Sequence, residues 1–280
     1  MDHPRSVPPP RQLKWSGQTD RGKVRPNNED SFLGLIFNAF EVHHLGKIGE
    51  AFTATTDFVF AVSDGMGGAK AGEIASRITM EKITHLLPRS YKQSALGLES
   101  GFTDILIELF DEIHRNLAEV GRSYPECAGM ETTLSLCWFT PGWMYFGHIG
   151  DSRIYYLPAR EKGIRQLSHD DTHVGWLFRN GKLTEREAKV HPRRHMLQKA
   201  LGGGNQFVEP QMGAVAYESG DLFLLCTDGL NDGLFDEQFH QFLRQPDPAE
   251  EKLPPAQRLV EAALERSGRD NITALVIEID

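Results

Sequence analysis

The chain has only three cysteines, Cys127, Cys137 and Cys226, an odd number without a CxxC spacing. That argues against a disulfide framework. Cys137 and Cys226 lie within apolar, strand-like runs and read as buried thiols of a reducing compartment. Long apolar runs are also missing, none approaching the ~18 residues of a membrane span. The opening MDHPRSVPPPRQ has no apolar signal segment, so residues 1–12 read as a disordered Pro-rich tail and the protein as cytoplasmic. Positive charge is scarce: 30 Lys and Arg stand against 39 Asp and Glu, a net charge of -9. Nucleic acid and anionic membrane are poor partners for such a surface. A phosphate-bearing substrate would need local positive charge, which bound metal could supply. Gly-Lys-Ser/Thr is absent, so the glycines at 65–72 match neither a phosphate loop nor a dinucleotide fingerprint.

What is present is organised around Asp57-Phe58-Val59-Phe60-Ala61-Val62-Ser63-Asp64-Gly65-Met66-Gly67-Gly68. Its apolar run reads as a strand buried on both faces, delivering Asp64 into a glycine loop. A carboxylate and bare backbone oxygens at the end of a rigid strand suit a hard cation; an ordinary Asp-Gly turn is the plain alternative. The placement recurs. Asp151 follows a β-hairpin built from 132–149, Asp228 follows the apolar run 221–226, and Asp270 opens the strand 272–279. Glu29-Asp30 precedes the apolar run 32–37. Clustered carboxylates repel one another unless divalent cations intervene. Two adjacent cations can activate a water and clamp phosphate oxygens.

Between these positions, apolar spacing predicts a helix from Ala71 that stops at Pro88, and another over 102–120 closed by Gly121. Shorter helices are expected around 239–243 and after Pro254-Pro255. Residues 38–56 read as a hairpin or extended loop. Residues 169–200 are polar and read as a flap, with a helix start at Leu183-Thr184-Glu185-Arg186-Glu187. Strands in blocks with helices between them give an α+β class, and without repeats or a long linker 13–280 reads as a single domain. The flap histidines His169/His173 and His191/His195 are spaced by four, which on a helix would put each pair on one face. Lacking a third ligand they are read as solvated side chains beside the cleft rather than a zinc site.

Taken in order, Arg25-x-x-Asn28-Glu29-Asp30, Asp64-Gly65-Met66-Gly67-Gly68, Gly150-Asp151-Ser152-Arg153, Thr227-Asp228-Gly229 and Asp270-Asn271-Ile272-Thr273 resemble the bacterial metal-dependent type 2C serine/threonine protein phosphatases. The resemblance runs from about Gly17 to Ile279. It implies a four-layer αββα sandwich of two antiparallel sheets flanked by helices. It also implies hydrolysis of phosphoserine and phosphothreonine monoesters by a water shared between two Mn2+ or Mg2+ ions. Asp64, Asp228 and Asp270 are then ligands of the first metal. Asp64 and the Gly65 carbonyl bridge to the second, with Glu29 or Asp30 holding its waters. Asp151 joins Asp228 at a third, weaker site. Arg25 becomes the phosphate-gripping residue, with a surface ion pair to Glu29 as its alternative. Phosphoproteins are the implied substrates of a monomer, with a serine/threonine kinase as the opposing partner. Two departures stand out: Ala69 replaces a His of the bacterial pattern, and Glu131 replaces the Gly of Gly-Thr-Thr. They support an alternative in which the fold survives as a pseudophosphatase, a regulatory binding module without turnover.

Overall fold

The computed structural model describes residues 10–280 except 39, 55, 69, 96–100 and 205–207, and except the side chains of 89–95. Ala69 and residues 1–9 of the expected tail therefore lie outside the described residues. The remainder of that tail is built in: the Arg11 N–H donates to Thr53 Oγ1 at 3.0 Å, and the first strand already opens at Gln12.

In chain order the elements are β1 (Gln12–Asp20), β2 (Asp30–Phe37), β3 (Val42–His44), β4 (Ile48–Phe52), β5 (Asp57–Met66), α1 (Ala71–Ala95) and α2 (Phe102–Ser123). Then come β6 (Glu131–Thr132), β7 (Leu134–Thr140), β8 (Trp143–Ile149), β9 (Arg153–Leu157), β10 (Arg165–Gln166), α3 (His173–Arg179) and α4 (Glu185–Val190). The chain continues through β11 (Leu201–Gly202), β12 (Gln211–Ala216), β13 (Leu222–Cys226), α5 (Asp228–Gly233), α6 (Asp236–Arg244), α7 (Pro255–Arg266) and β14 (Ile272–Ile279).

Side chains alternate across a strand, so an unbroken apolar run must feed two cores at once. β5 does this. Val59 and Ala61 pack toward α1 and α2, while Phe58, Phe60 and Val62 face the second sheet. β14 and β13 repeat the pattern on the far side: Leu275, Ile277, Phe223 and Leu225 enter the same central core. Their alternate residues, Ala274, Val276, Leu222 and Leu224, pack with α5, α6 and α7. Three apolar layers therefore separate helices, sheet, sheet and helices, which is the expected αββα sandwich.

One sheet runs β10-β9-β13-β14-β1-β4; the other runs β11-β6-β5-β7-β8-β12, with β2 on the other flank of β5 and β3 beyond it. The ladders are antiparallel.

Three expectations shift. Residues 38–56 hold two short strands in different sheets, because β3 pairs with β2 whereas β4 crosses to β1. α1 does not stop at Pro88 but continues to Ala95. A proline inside a helix loses one hydrogen bond and crowds the carbonyl four residues back, and here the buried Ile83 and Leu87 hold that turn against the core and offset the cost. α2 runs through Gly121 to Ser123, with Ile105, Leu109, Ile113 and Leu117 buried along its face. The flap contains α3 and α4. Thr184 caps α4 in the reciprocal arrangement with Glu187 that the sequence pattern announced.

Candidate metal centre

Strand register brings the acidic positions together. In the β2–β5 ladder Asp30 lies opposite Asp64. Across the sandwich β13 is flanked by β9 and β14, with Cys226 opposite both Arg153 and Ala274. Asp151, Asp228 and Asp270 therefore sit on three adjacent chain segments at that end. The two sheets are tied at this end by Asp30, whose Oδ2 accepts from Thr227 Oγ1 at 2.8 Å and Thr273 Oγ1 at 2.7 Å. The Thr227 hydroxyl in turn accepts the Thr273 N–H.

Each carboxylate is held by local chemistry. Thr133 Oγ1 accepts the Asp64 N–H at 3.0 Å, and the Thr132 hydroxyl donates to the Asp64 carbonyl at 2.7 Å. The Thr133 hydroxyl also meets Ser152 Oγ at 2.7 Å, joining the end of β5 to the turn that carries Asp151. Gly150 in that turn has φ +107°, and a Cβ there would lie 2.5 Å from Thr133. Only glycine accepts both demands. Buried His148 fixes the same turn: one ring nitrogen contacts Ser135 Oγ at 2.8 Å and the other the Gly150 carbonyl at 3.1 Å. Burial holds its pKa below the usual range, so a neutral ring donates to Gly150 and accepts from Ser135.

Gly65 approaches the start of α1 so closely that a Cβ would lie 1.9 Å from the Gly72 carbonyl oxygen. A Cβ on Gly72 would lie 2.9 Å from the Glu29 carboxyl carbon. The paired glycines thus admit Glu29 to the edge of the cluster. Asn271 stitches the loop carrying Arg25 and Glu29 to β14. Its Oδ1 accepts the Glu29 N–H at 2.8 Å, and its Nδ2 donates to the carbonyls of Arg21 and Asn27. Arg25 pairs with Asp270 at 2.7 Å, not with Glu29 as the ion-pair alternative had it.

The electrostatics follow from this crowding. Burial raises the Asp64 and Asp151 carboxyls well above the ordinary range, and mutual repulsion reinforces it: Asp64 faces Asp30, Asp228, Asp151 and Asp270. Asp30 is pushed up to about 7 by burial against the pull of its two threonine hydroxyls. Asp228 is raised by burial although a hydrogen bond from His195 opposes the shift. Such a cluster is short of positive charge, and its oxygens are the hard donors that Mg2+ and Mn2+ prefer. The fit is supported by two buried carboxylate oxygens that have no hydrogen-bond partner, Oδ1 of Asp30 and Oδ1 of Asp228.

The flap histidines do not form helical pairs. His173 begins α3 with His169 outside it, and His191 and His195 both follow α4. His195 nevertheless reaches the cluster, with Nδ1 2.8 Å from Asp228 Oδ2. Sequence reasoning placed it only near the cleft. It also passed over the threonine clamps, although Thr227 and Thr273 stand within the motifs that carry Asp228 and Asp270. Glu131 lies within β6, paired with Met66 and Gly202 in regular ladders. Gly203 leaves room for its side chain, since a Cβ there would collide with Glu131. The local loop thus accommodates the departure.

A two-sheet sandwich with carboxylates from five chain segments gathered at one end forms a candidate divalent-cation centre. The protein belongs to the protein phosphatase 2C family, whose description it matches over residues 49–264. It is 34% identical over 271 residues to the serine/threonine protein phosphatase PstP of Mycobacterium tuberculosis, covering 95% of this chain and 45% of that protein. The chain thus spans less than half the length of that relative. It is 30% identical to the serine/threonine phosphatase stp of Listeria monocytogenes, covering 94% of each. Among solved structures, the PstP catalytic domain in complex with two manganese ions is similar with a TM-score of 0.72 and 31% identity, covering 96% and 99% of the two chains. The serine/threonine phosphatase of S. agalactiae gives a TM-score of 0.76 at 28% identity, covering 96% and 100%.

Proposed function

We propose that this chain is a metal-dependent protein serine/threonine phosphatase, hydrolysing phosphoserine and phosphothreonine monoesters. The observation that carries the reading is the convergence of Asp30, Asp64, Asp151, Asp228 and Asp270, with two buried carboxylate oxygens lacking any partner. Divalent cations, Mn2+ or Mg2+, would neutralise this cluster, acidify a nucleophilic water and draw charge from the phosphoryl group. Asp64, Asp228 and Asp270 are proposed to hold the first ion. Asp64 and the Gly65 carbonyl then hold the second, with Glu29 or Asp30 orienting its waters, and Asp151 serves a third, weaker site with Asp228. The manganese-bound PstP relative supports the two-ion arrangement.

Arg25 stands at the rim, half exposed and tethered to Asp270. Its guanidinium offers a fork of donors that fits phosphate oxygens once Asp270 turns to a cation. The pseudophosphatase alternative loses part of its support, because Glu131 pairs with both neighbouring strands in β6. We place the enzyme in the cytoplasm as a monomer opposing a serine/threonine kinase. Three buried free cysteines fit a reducing compartment. Among the described residues no helix is long and apolar enough to cross a membrane. The proposal is tested by assaying the purified protein on a phosphothreonine peptide and an aryl phosphate, with Mn2+, with Mg2+ and with chelator. Turnover that requires the metal is the expected result. Metal binding without turnover on either substrate would instead favour the binding module.

A further inference from the structure

The flap brings an imidazole into contact with the acidic cluster. Ligand atoms of Asp151, His195 and Asp228 all lie within 4.8 Å of one another. We propose that His195 is a ligand contributed by the flap, closing a mixed nitrogen–oxygen site with Asp151 and Asp228 for a divalent first-row transition ion such as Mn2+. This rests on the metal-dependent reading above, and it adds a protein donor that the sequence motifs do not assign.

Three further observations support it. The Asp228 Oδ1 atom is buried without a partner even while Oδ2 engages His195, so the carboxylate keeps donor capacity. The other ring nitrogen of His195 faces Asp232 at 3.6 Å, and Asp232 is gripped by Arg194 through Nε at 3.3 Å and a terminal nitrogen at 3.1 Å. Metal-binding histidines ordinarily rest their second nitrogen on a carboxylate, and Asp232 stands where it could accept that proton once a metal displaces the Nδ1–H from Asp228. The flap is also docked on the helix that carries Asp228. Lys189 Nζ donates to the carbonyls of Asn231 and Leu234 near the end of α5. Glu185 accepts the Asp236 N–H at the start of α6. His195 is thus presented from an anchored segment, as a metal ligand requires.

The donor set carries a chemical signature. Carboxylates serve Mg2+ and Mn2+ alike, whereas imidazole favours the transition ion. The third site should therefore discriminate between them, and the two carboxylate-lined sites should not.

The test combines calorimetric titration with pulsed EPR on the full chain loaded with Mn2+, comparing wild type, His195→Ala and Asp232→Asn. His195 is partly exposed, so its truncation leaves the core intact. In wild type we expect two tight events, one weaker event and nitrogen modulation of the Mn2+ signal. His195→Ala should abolish the modulation and weaken the third event at least tenfold, leaving both tight events in place. Asp232→Asn should keep the modulation and weaken the third event about 10- to 100-fold. Mg2+ titrations should not distinguish His195→Ala from wild type. Two tight events without nitrogen modulation in wild type, or modulation that survives His195→Ala, would overturn the assignment while leaving the phosphatase reading intact. A wild-type protein that binds no Mn2+ would overturn both.

Discussion

Asp64 and Asp228 carry the heaviest demand at the residue scale, since each is crowded by like charges that a divalent cation would relieve. Asp64→Asn or Asp228→Asn should lower kcat by about 100- to 1000-fold or more, because a neutral amide binds metal weakly and fails to fix the nucleophile. Normal rates at saturating Mn2+ in either variant would remove the residue from the centre. Arg25 invites a different measurement. Its partner is Asp270, so Arg25→Ala frees a carboxylate and removes the proposed phosphate donor together. We expect the KM for a phosphopeptide to rise about tenfold, the worth of one charge-assisted contact, with Mn2+ affinity unchanged or tighter. Weaker Mn2+ binding would make Arg25 a structural support of the carboxylates. The Thr133 hydroxyl serves two elements, meeting the Asp64 N–H and Ser152. Thr133→Val keeps the shape and leaves those buried groups unpaired, which costs about 1–3 kcal/mol. Chemical denaturation reads that loss directly.

At the scale of elements, α4 of the flap is attached through polar contacts rather than apolar burial, whereas α3 buries Val174. α4 buries no residue, and its Lys189 and Glu185 bridge to α5 and α6. Burial also lowers the Lys189 pKa, so its charge depends on those carbonyls and on neighbouring carboxylates. Lys189→Met should release the flap without unfolding the sandwich. Amide exchange across 173–195 should accelerate at least tenfold while β5, β13 and β14 stay protected. Equal acceleration throughout would show instead that Lys189 supports the whole fold. The sequence made these elements unequally legible. β5, β13 and β14 were readable because unbroken apolar runs have few alternatives, and the motif carboxylates were readable because each follows or opens such a run. The crossing of β4 to the other sheet was not, since three to five residues carry no periodicity that names a partner strand. Nor could spacing alone show that His195 reaches Asp228, because that contact is made by a turn after α4 folding back on α5.

Across the whole molecule, the cluster sets how stability responds to pH. Asp30, with its pKa pushed to about 7, and Asp64, Asp151 and Asp228, also raised, bind protons in the folded state that the unfolded chain has already released. Asp57, raised to about 6 by burial beside Trp138, acts in the same sense. Stability without metal is therefore fully present below the unfolded carboxylate pKa near 4 and declines as pH rises through the folded values. His195, whose pKa is raised by Asp228, adds stability that is likewise lost as pH rises through its folded value. The melting temperature of chelator-treated protein should fall by about 5 °C or more between pH 5 and pH 8. Because the proposed ligands are ionised carboxylates, Mn2+ should restore more at pH 8 than at pH 5. A metal-free Tm that rises over that interval would contradict the raised carboxyls.

The pairing of β1 with β14 has a kinetic consequence. Thr19 and Thr273 touch across a sequence separation of 254 residues, and β14 lies in the middle of its sheet, between β13 and β1. Contacts so distant along the chain form late, because the loop between them must be closed before they can stabilise anything. The Thr273 hydroxyl that steadies Asp30 and the Asp270 carboxylate both arrive with that strand. A refolding chain should thus acquire helices and the β5–β7–β8 ladder before it can hold a cation, and capture of Mn2+ should follow the final slow phase rather than accompany the first collapse.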